Sequence, residues 1–167
     1  DGHVVSLPAL EGLEQSSVDG IEYEAFNTSG GLGTLCDTLK GKVRHMDYKT
    51  ARYPGHRDLM DFLINGLRFS DRRKQLKEIF DTVIPLTKQD VILIFSSVTG
   101  WQDGRLTQVS DVRKIYSKDM FGEHWSGIQL TTAAGICAAL DLHVLGKLPR
   151  TGFVRQEDIN FNDFINN

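Results

Sequence analysis

The stretch VILIFSSVTGWQDGRLTQVSDVRKIY, residues 91–116, reads as two strands joined by a tight turn. Residues 91–98 are so continuously apolar that a strand there should not be exposed on both faces. Trp101-Gln102-Asp103-Gly104 supplies the turn, because Asp-Gly tolerates the positive φ that a two-residue hairpin loop demands. Residues 106–116 return as the partner. A hairpin makes neighbouring strands antiparallel and argues against an all-parallel sheet, so with helices on both sides the expected class is α+β.

Upstream, residues 4–7 suggest a short strand closed by Pro8. Ile21-Glu22-Tyr23-Glu24-Ala25-Phe26 alternates apolar and polar residues, the period of a half-buried strand. Helical spacing follows over 32–39 (Leu32, Leu35, Cys36, Leu39), with Thr28 or Ser29 placed to cap it and Gly41 to end it. Residues 43–53 form another strand candidate that stops at Pro54-Gly55. Leu59, Phe62, Leu63 and Leu67 mark a helix, and residues 72–83 a second one with Leu76, Ile79, Phe80 and Val83 along one side. Downstream, residues 124–145 carry the strongest helical pattern, closed by Gly146. Gly135 inside it costs about 1 kcal/mol relative to Ala, which close packing would explain. The expected architecture is a mixed, largely antiparallel sheet covered by helices on one face, in one domain spanning residues 1–167.

The composition is that of a folded domain, and a formal net charge of −3 over 167 residues argues against a general nucleic-acid binder. A basic run at 68–77 is the one local exception. Cys36 and Cys137 sit far apart among small or apolar neighbours and are expected to be buried free thiols, without a disulfide. His45, His124 and His143 lack metal-ligand spacing, so no metal is expected. No secretory pattern opens the chain and no apolar run reaches the roughly 20 residues of a bilayer span. The expectation is a cytoplasmic protein without a membrane partner. Asp1-Gly2-His3 and residues 161–167 both look cut from longer patterns, and the chain starts without Met, so a preceding segment is expected.

Chemistry concentrates at two strand-to-helix junctions. Asn27-Thr28-Ser29-Gly30-Gly31-Leu32-Gly33-Thr34 superficially echoes a dinucleotide fingerprint. It lacks the last glycine at its spacing and an acidic residue about 20 positions on, so a nucleotide site is rejected and a tight turn with a cap remains. Lys49-Thr50-Ala51-Arg52-Tyr53-Pro54-Gly55-His56-Arg57 gathers cations where a helix begins, although the helix dipole disfavours them there. That conflict points to a bound anion, such as a carboxylate held by Arg52. Side chains splayed into water, or paired with acids elsewhere, are the alternative. His56 has the pKa range for proton transfer. Thr131 and Thr132 are expected to bond back within their own helix, and Trp125 to serve the core.

These junctions resemble segments of the saccharopine dehydrogenase family. Tyr23–Leu35 is similar to the segment opening the second domain of its bacterial members. Residues 49–56 look like the family's Arg-Tyr-x-Gly region, also present in lysine 6-dehydrogenases. Residues 125–136 and 152–157 continue the likeness in order. The resemblance implies a substrate-binding half that oxidises a secondary amine to an imine, which water then hydrolyses, in lysine metabolism. It implies Arg52, with Lys49 or His56, on a substrate carboxylate. Asn27 and Thr28 would add polar contacts across the cleft, with Tyr53 beside Arg52, and His56 or Lys49 would be the general base. It implies NAD or NADP on the chain's own N-terminal Rossmann domain, none on this fragment, a small amino-acid substrate with carboxylates, and a homodimer. Relatives acting on lysine or a carboxylated polyamine, and a non-catalytic dimerisation module, are the competing expectations.

Overall fold

A computed structural model describes residues 2–166; Asp1 and Asn167, at the two ends expected to be cut, lie outside the described residues. The chain divides into two compact units, residues 1–85 and 86–167.

In the first unit, β1 (Glu14–Val18), β2 (Ile21–Phe26) and β3 (Thr50–Arg52) form a three-stranded antiparallel sheet with β2 in the centre. The alternation read in the sequence places Tyr23 on one face of β2 and Glu24 and Phe26 on the other, and all three are buried. Helix α1 (Leu35–Thr38), helix α2 (His56–Asp61), a π-helical turn over Phe62–Gly66 and helix α3 (Arg73–Val83) complete the unit. The pattern Leu59, Phe62, Leu63, Leu67 thus becomes α2 and its π turn, closed by Leu67 N–H donating to the Phe62 carbonyl at 2.8 Å.

The second unit contains β4 (Val91–Gln102) paired antiparallel with β5 (Arg105–Tyr116), and β6 (Lys118–Met120) paired with β7 (Glu123–Trp125). Helix α4 (Gly127–Val144) and helix α5 (Phe161–Ile165) follow. The three sequential hairpins share one device. Asp19-Gly20, Asp103-Gly104 and Phe121-Gly122 all have positive φ at both positions, the two-residue turn that matches strand twist. Helix α4 ends as a Schellman motif: Gly146 N–H donates to the His143 carbonyl and Lys147 N–H to the Leu142 carbonyl.

The α+β class holds, with every described strand pairing antiparallel, in four ladders divided among three sheets. Several local expectations change. Residues 4–7 form no strand, because no neighbour offers a ladder, and Val4 and Val5 are exposed. Of residues 43–53 only Thr50–Arg52 pairs, opposite Glu24, Ala25 and Phe26. The helix expected from 32 begins at Leu35, after Gly30 and Gly33 adopt positive φ, and neither Thr28 nor Ser29 caps it. His124 and Trp125 belong to β7; Trp125 is half-buried with its indole N–H donating to the Met120 carbonyl, and the helix starts at Gly127. Thr131 does bond back, to the Gly127 carbonyl at 2.9 Å. Cys36 is half-buried and Cys137 exposed, since α4 leaves that side open. A Cβ at Gly135 would meet nothing within 4 Å, so close packing does not explain that glycine.

Apolar residues 91–98 are not sheltered either: beyond Leu93 both faces of β4 are open. Helix α4 is 18 residues long and, by length and composition alone, apolar enough to cross a membrane; within the fold it is mostly exposed. The total accessible surface is 13571 Å² for 18.7 kDa. Two separate compact domains of half that mass would expose about 10,000 Å² between them. Exposed large apolar side chains, among them Phe95, Trp101, Leu106, Ile136 and Val144, contribute to the excess.

Candidate functional site

All six residues singled out in the sequence lie in the first unit, and the structure sorts them into two groups around β3. Asn27, Thr28 and Lys49 line one cleft of ≈830 Å³ bounded by residues 2–7 and 43–49. Arg52, Tyr53 and His56 gather at the opposite end of β3, where α2 begins.

The cleft is built by backbone first. Asn27 follows β2 and is pinned by its own N–H donating to the Glu11 carbonyl at 2.9 Å and by its carbonyl accepting from Leu10 N–H at 2.7 Å. This pairing turns the Asn27 side chain inward against Gly12, where a Cβ would stand 3.1 Å from Nδ2 and 3.6 Å from Lys49 Cε. The Asn27 amide nitrogen is buried and has no hydrogen-bond partner among the described residues, an arrangement that costs about 1–3 kcal/mol unless something accepts from it. Thr28 Oγ1 lies 2.6 Å from Thr50 Oγ1, which ties the cleft wall to β3.

Lys49 is only 12% exposed and pairs with Glu14, with Asp47 at 3.5 Å. Burial pulls its pKa down, but the hydrogen bond to Glu14 and the charges of Asp47 and Glu14 outweigh it, holding Lys49 above the ordinary lysine value. A lysine general base needs the opposite shift. Lys49 therefore stands in the cleft wall paired with Glu14 and Asp47.

At the other end, the conflict between cations and helix dipole is resolved from within. Glu24, 5% exposed on β2, accepts from Gly55 N–H at 3.0 Å and from Arg57 N–H at 2.6 Å. The anion that the sequence demanded at this helix start is the protein's own carboxylate. Glu24 was missed because it sits 31 positions before Gly55, hidden inside a strand pattern where only its burial marks it. Arg57 turns back to donate to the Leu10 carbonyl. Arg52 lies directly across the ladder from Glu24 and donates to the Ala51 carbonyl; among the described residues no carboxylate pairs with it. Tyr53 stacks on Tyr23 at 5.6 Å, and the His56 ring stacks on Phe26 at 6.1 Å. Both aromatic contacts fix the end of β3 onto β2.

A Cβ at Gly30, Gly31 or Gly33 would meet nothing within 4 Å, and α1 behind these glycines is four residues long. Among the described residues no group of three or more His, Cys, Asp or Glu is placed to hold a metal ion. A shallow depression around Ser70–Gln75 is made of consecutive exposed residues and converges on no point.

No protein-family model matches the chain, and no solved structure matches it.

Proposed function

We propose that this chain is the substrate-binding part of an NAD(P)-dependent amino-acid dehydrogenase of the saccharopine dehydrogenase type. The single observation that carries the reading is the buried, unpartnered Asn27 amide beside the Lys49 cation in one cleft. A carboxylate would accept from Nδ2, with Lys49 exchanging its Glu14 partner for it on binding. The likeness of four sequence stretches to the family supplies the reaction class. In this reading Asn27, Thr28 and Lys49 hold one carboxylate end of a small amino acid. Arg52 and Tyr53, at the far end of β3, anchor a second acidic group, and His56 is the proton-transferring residue. In this reading NAD or NADP, and with it hydride transfer, belongs to the Rossmann domain that the family resemblance implies.

The test is an amine screen on the protein with its nucleotide-binding domain attached, following reduced-cofactor absorbance with NAD and with NADP. Saccharopine-like secondary amines bearing carboxylates should support turnover, and Asn27→Leu should raise KM about tenfold or more, since a lost bond to a charged group is worth about 1.5–3 kcal/mol. Turnover only with lysine or only with a carboxylated polyamine would move the substrate within the family. No turnover and no binding with any carboxylated amine would overturn the reading. A non-catalytic dimerisation module would then stand, and the open apolar face of the β4–β5 hairpin favours it.

A further inference from the structure

The basic run at residues 68–77 takes no part in either group around β3. Arg68, Arg72, Arg73, Lys74 and Lys77 stand against Asp71 alone, in a chain whose formal net charge is −3. All five cations are exposed. Among the described residues no carboxylate pairs with the first four, and Lys77 pairs with Asp81 one turn on. The surface they share around Ser70–Gln75 is shallow and converges on no point. It suits an extended sheet of negative charge better than one small anion.

These cations lead directly into α3. Its apolar side chains, Leu76, Ile79, Phe80 and Val83, follow helical spacing and fill an arc of about 100°. Arg73 and Lys77 border that arc on one side, and Glu78 lies on the far side of the helix. No residue of α3 is buried. Leu76 and Phe80 are half-buried, whereas Ile79 and Val83 are 44 and 66% exposed, and Ile84 just past the helix 58%. A helix docked in a protein groove sinks its whole apolar stripe, and here only one edge of the stripe is free. That edge suits shallow entry at an acyl boundary, with long basic stems reaching from it to headgroup phosphates. A nucleic acid would use the cations and leave Ile79 and Val83 idle.

We propose that α3 and the basic turn before it lie on an anionic lipid surface, as a peripheral contact and not a span. The inference is independent of the dehydrogenase reading. The expectation of no membrane partner rested on the lack of a bilayer-length apolar run, which does not bear on a surface contact. Each Lys or Arg close to such a surface strengthens partition by about fivefold, an attraction that salt screens.

Cosedimentation of the intact chain with lipid vesicles tests it. Phosphatidylcholine vesicles containing about one-third phosphatidylglycerol should bind the chain, and pure phosphatidylcholine vesicles should not. Raising salt from about 0.1 M to about 0.5 M should weaken that binding at least tenfold. Arg72→Ala and Lys74→Ala should each weaken it by about fivefold. Val83→Asp should weaken it by about tenfold or more, through lost apolar contact and added repulsion. Lys118→Ala, at an exposed position of β6, should leave it unchanged. The substituted side chains are all exposed, and far-UV circular dichroism confirms that each variant is folded. No binding to the anionic vesicles, or equal binding to the neutral ones, overturns the proposal. So does full vesicle binding by Val83→Asp. Heparin or poly-glutamate holding the chain as tightly as the anionic vesicles would overturn it too, and give the patch to a soluble acidic partner.

Discussion

Gly127→Ala and Gly135→Ala introduce the same methyl group into the same helix and should move stability in opposite directions. At Gly127 the new Cβ would stand 2.8 Å from the Ile115 carbonyl oxygen, 3.2 Å from Asp90 Oδ1 and 3.4 Å from Ile92 Cγ1. The nearest atom is backbone in the β5 ladder, so no rotamer change relieves the contact and the first turn of α4 must lift. That turn is where Asp90 accepts from Gly127 N–H at 2.5 Å and Ile128 N–H at 3.0 Å, and where Ser126 and Gln129 close a capping box. Overpacking costs about 1–3 kcal/mol and a weakened cap about 1 kcal/mol, against a helix-propensity gain of at most about 1 kcal/mol. The net is a loss of about 2 kcal/mol. At Gly135 the Cβ meets nothing within 4 Å, so the propensity gain of about 1 kcal/mol stands alone. Both tryptophans, Trp101 and Trp125, belong to the second unit, so intrinsic fluorescence follows its unfolding selectively. For a domain of this size 1 kcal/mol is about 4–8 °C, and the two variants should differ by more than about 10 °C in midpoint. If Gly127→Ala melted with or above Gly135→Ala, the close approach of α4 to β5 would be wrong.

Three further outcomes follow from particular contacts. Phe121 occupies a left-handed turn position at φ 56 and is 93% exposed; Phe121→Asn should raise the same fluorescence midpoint by about 1 kcal/mol, since that conformation costs most side chains about 1–2 kcal/mol. Glu24→Ala strands the Gly55 and Arg57 amides at a loss of about 2 kcal/mol, and hydrogen exchange at those two amides should quicken roughly thirtyfold. Asp90 is held below the ordinary carboxylate pKa, first by the Ile128 N–H, with burial opposing, then by Gly127 N–H. A depressed folded pKa stabilises above the ordinary carboxylate range and is lost as pH falls through the folded value. Unfolding of the second unit against pH should therefore steepen in acid for the intact chain, and Asp90→Asn should be weaker at neutral pH with a flatter acid limb.

The elements that were legible in the sequence are those whose signal is local. Asp103-Gly104 announced its hairpin because turn chemistry needs two residues only, and Asp19-Gly20 carries the same signal before β2. Phe121-Gly122 does not, since phenylalanine is foreign to that position. The α4 helix end was legible from Gly146. Residues 4–7 and 43–49 misled because alternation describes a strand's faces and says nothing of whether a partner is present. The candidate site was half legible. Asn27, Thr28 and Lys49 converge because β2 and β3 pair, and their types suited a polar cleft. Glu24 was invisible, since a carboxylate capping a helix 31 positions away looks in sequence like the solvent side of a strand. Lys49 was legible as a cation at the junction, but its partner Glu14, 35 positions earlier, was not.

Three of the four strand pairings join segments separated by a two-residue turn. Such ribbons zip in about 1–10 μs and need nothing from distant chain. The exception is β3, which must find β2 across residues 27–49 and pay a closure entropy growing as about (3/2)RT ln n. The edge that completes the Lys49 cleft should consequently be the last piece of the first unit to order during folding and the first to let go under mild denaturant.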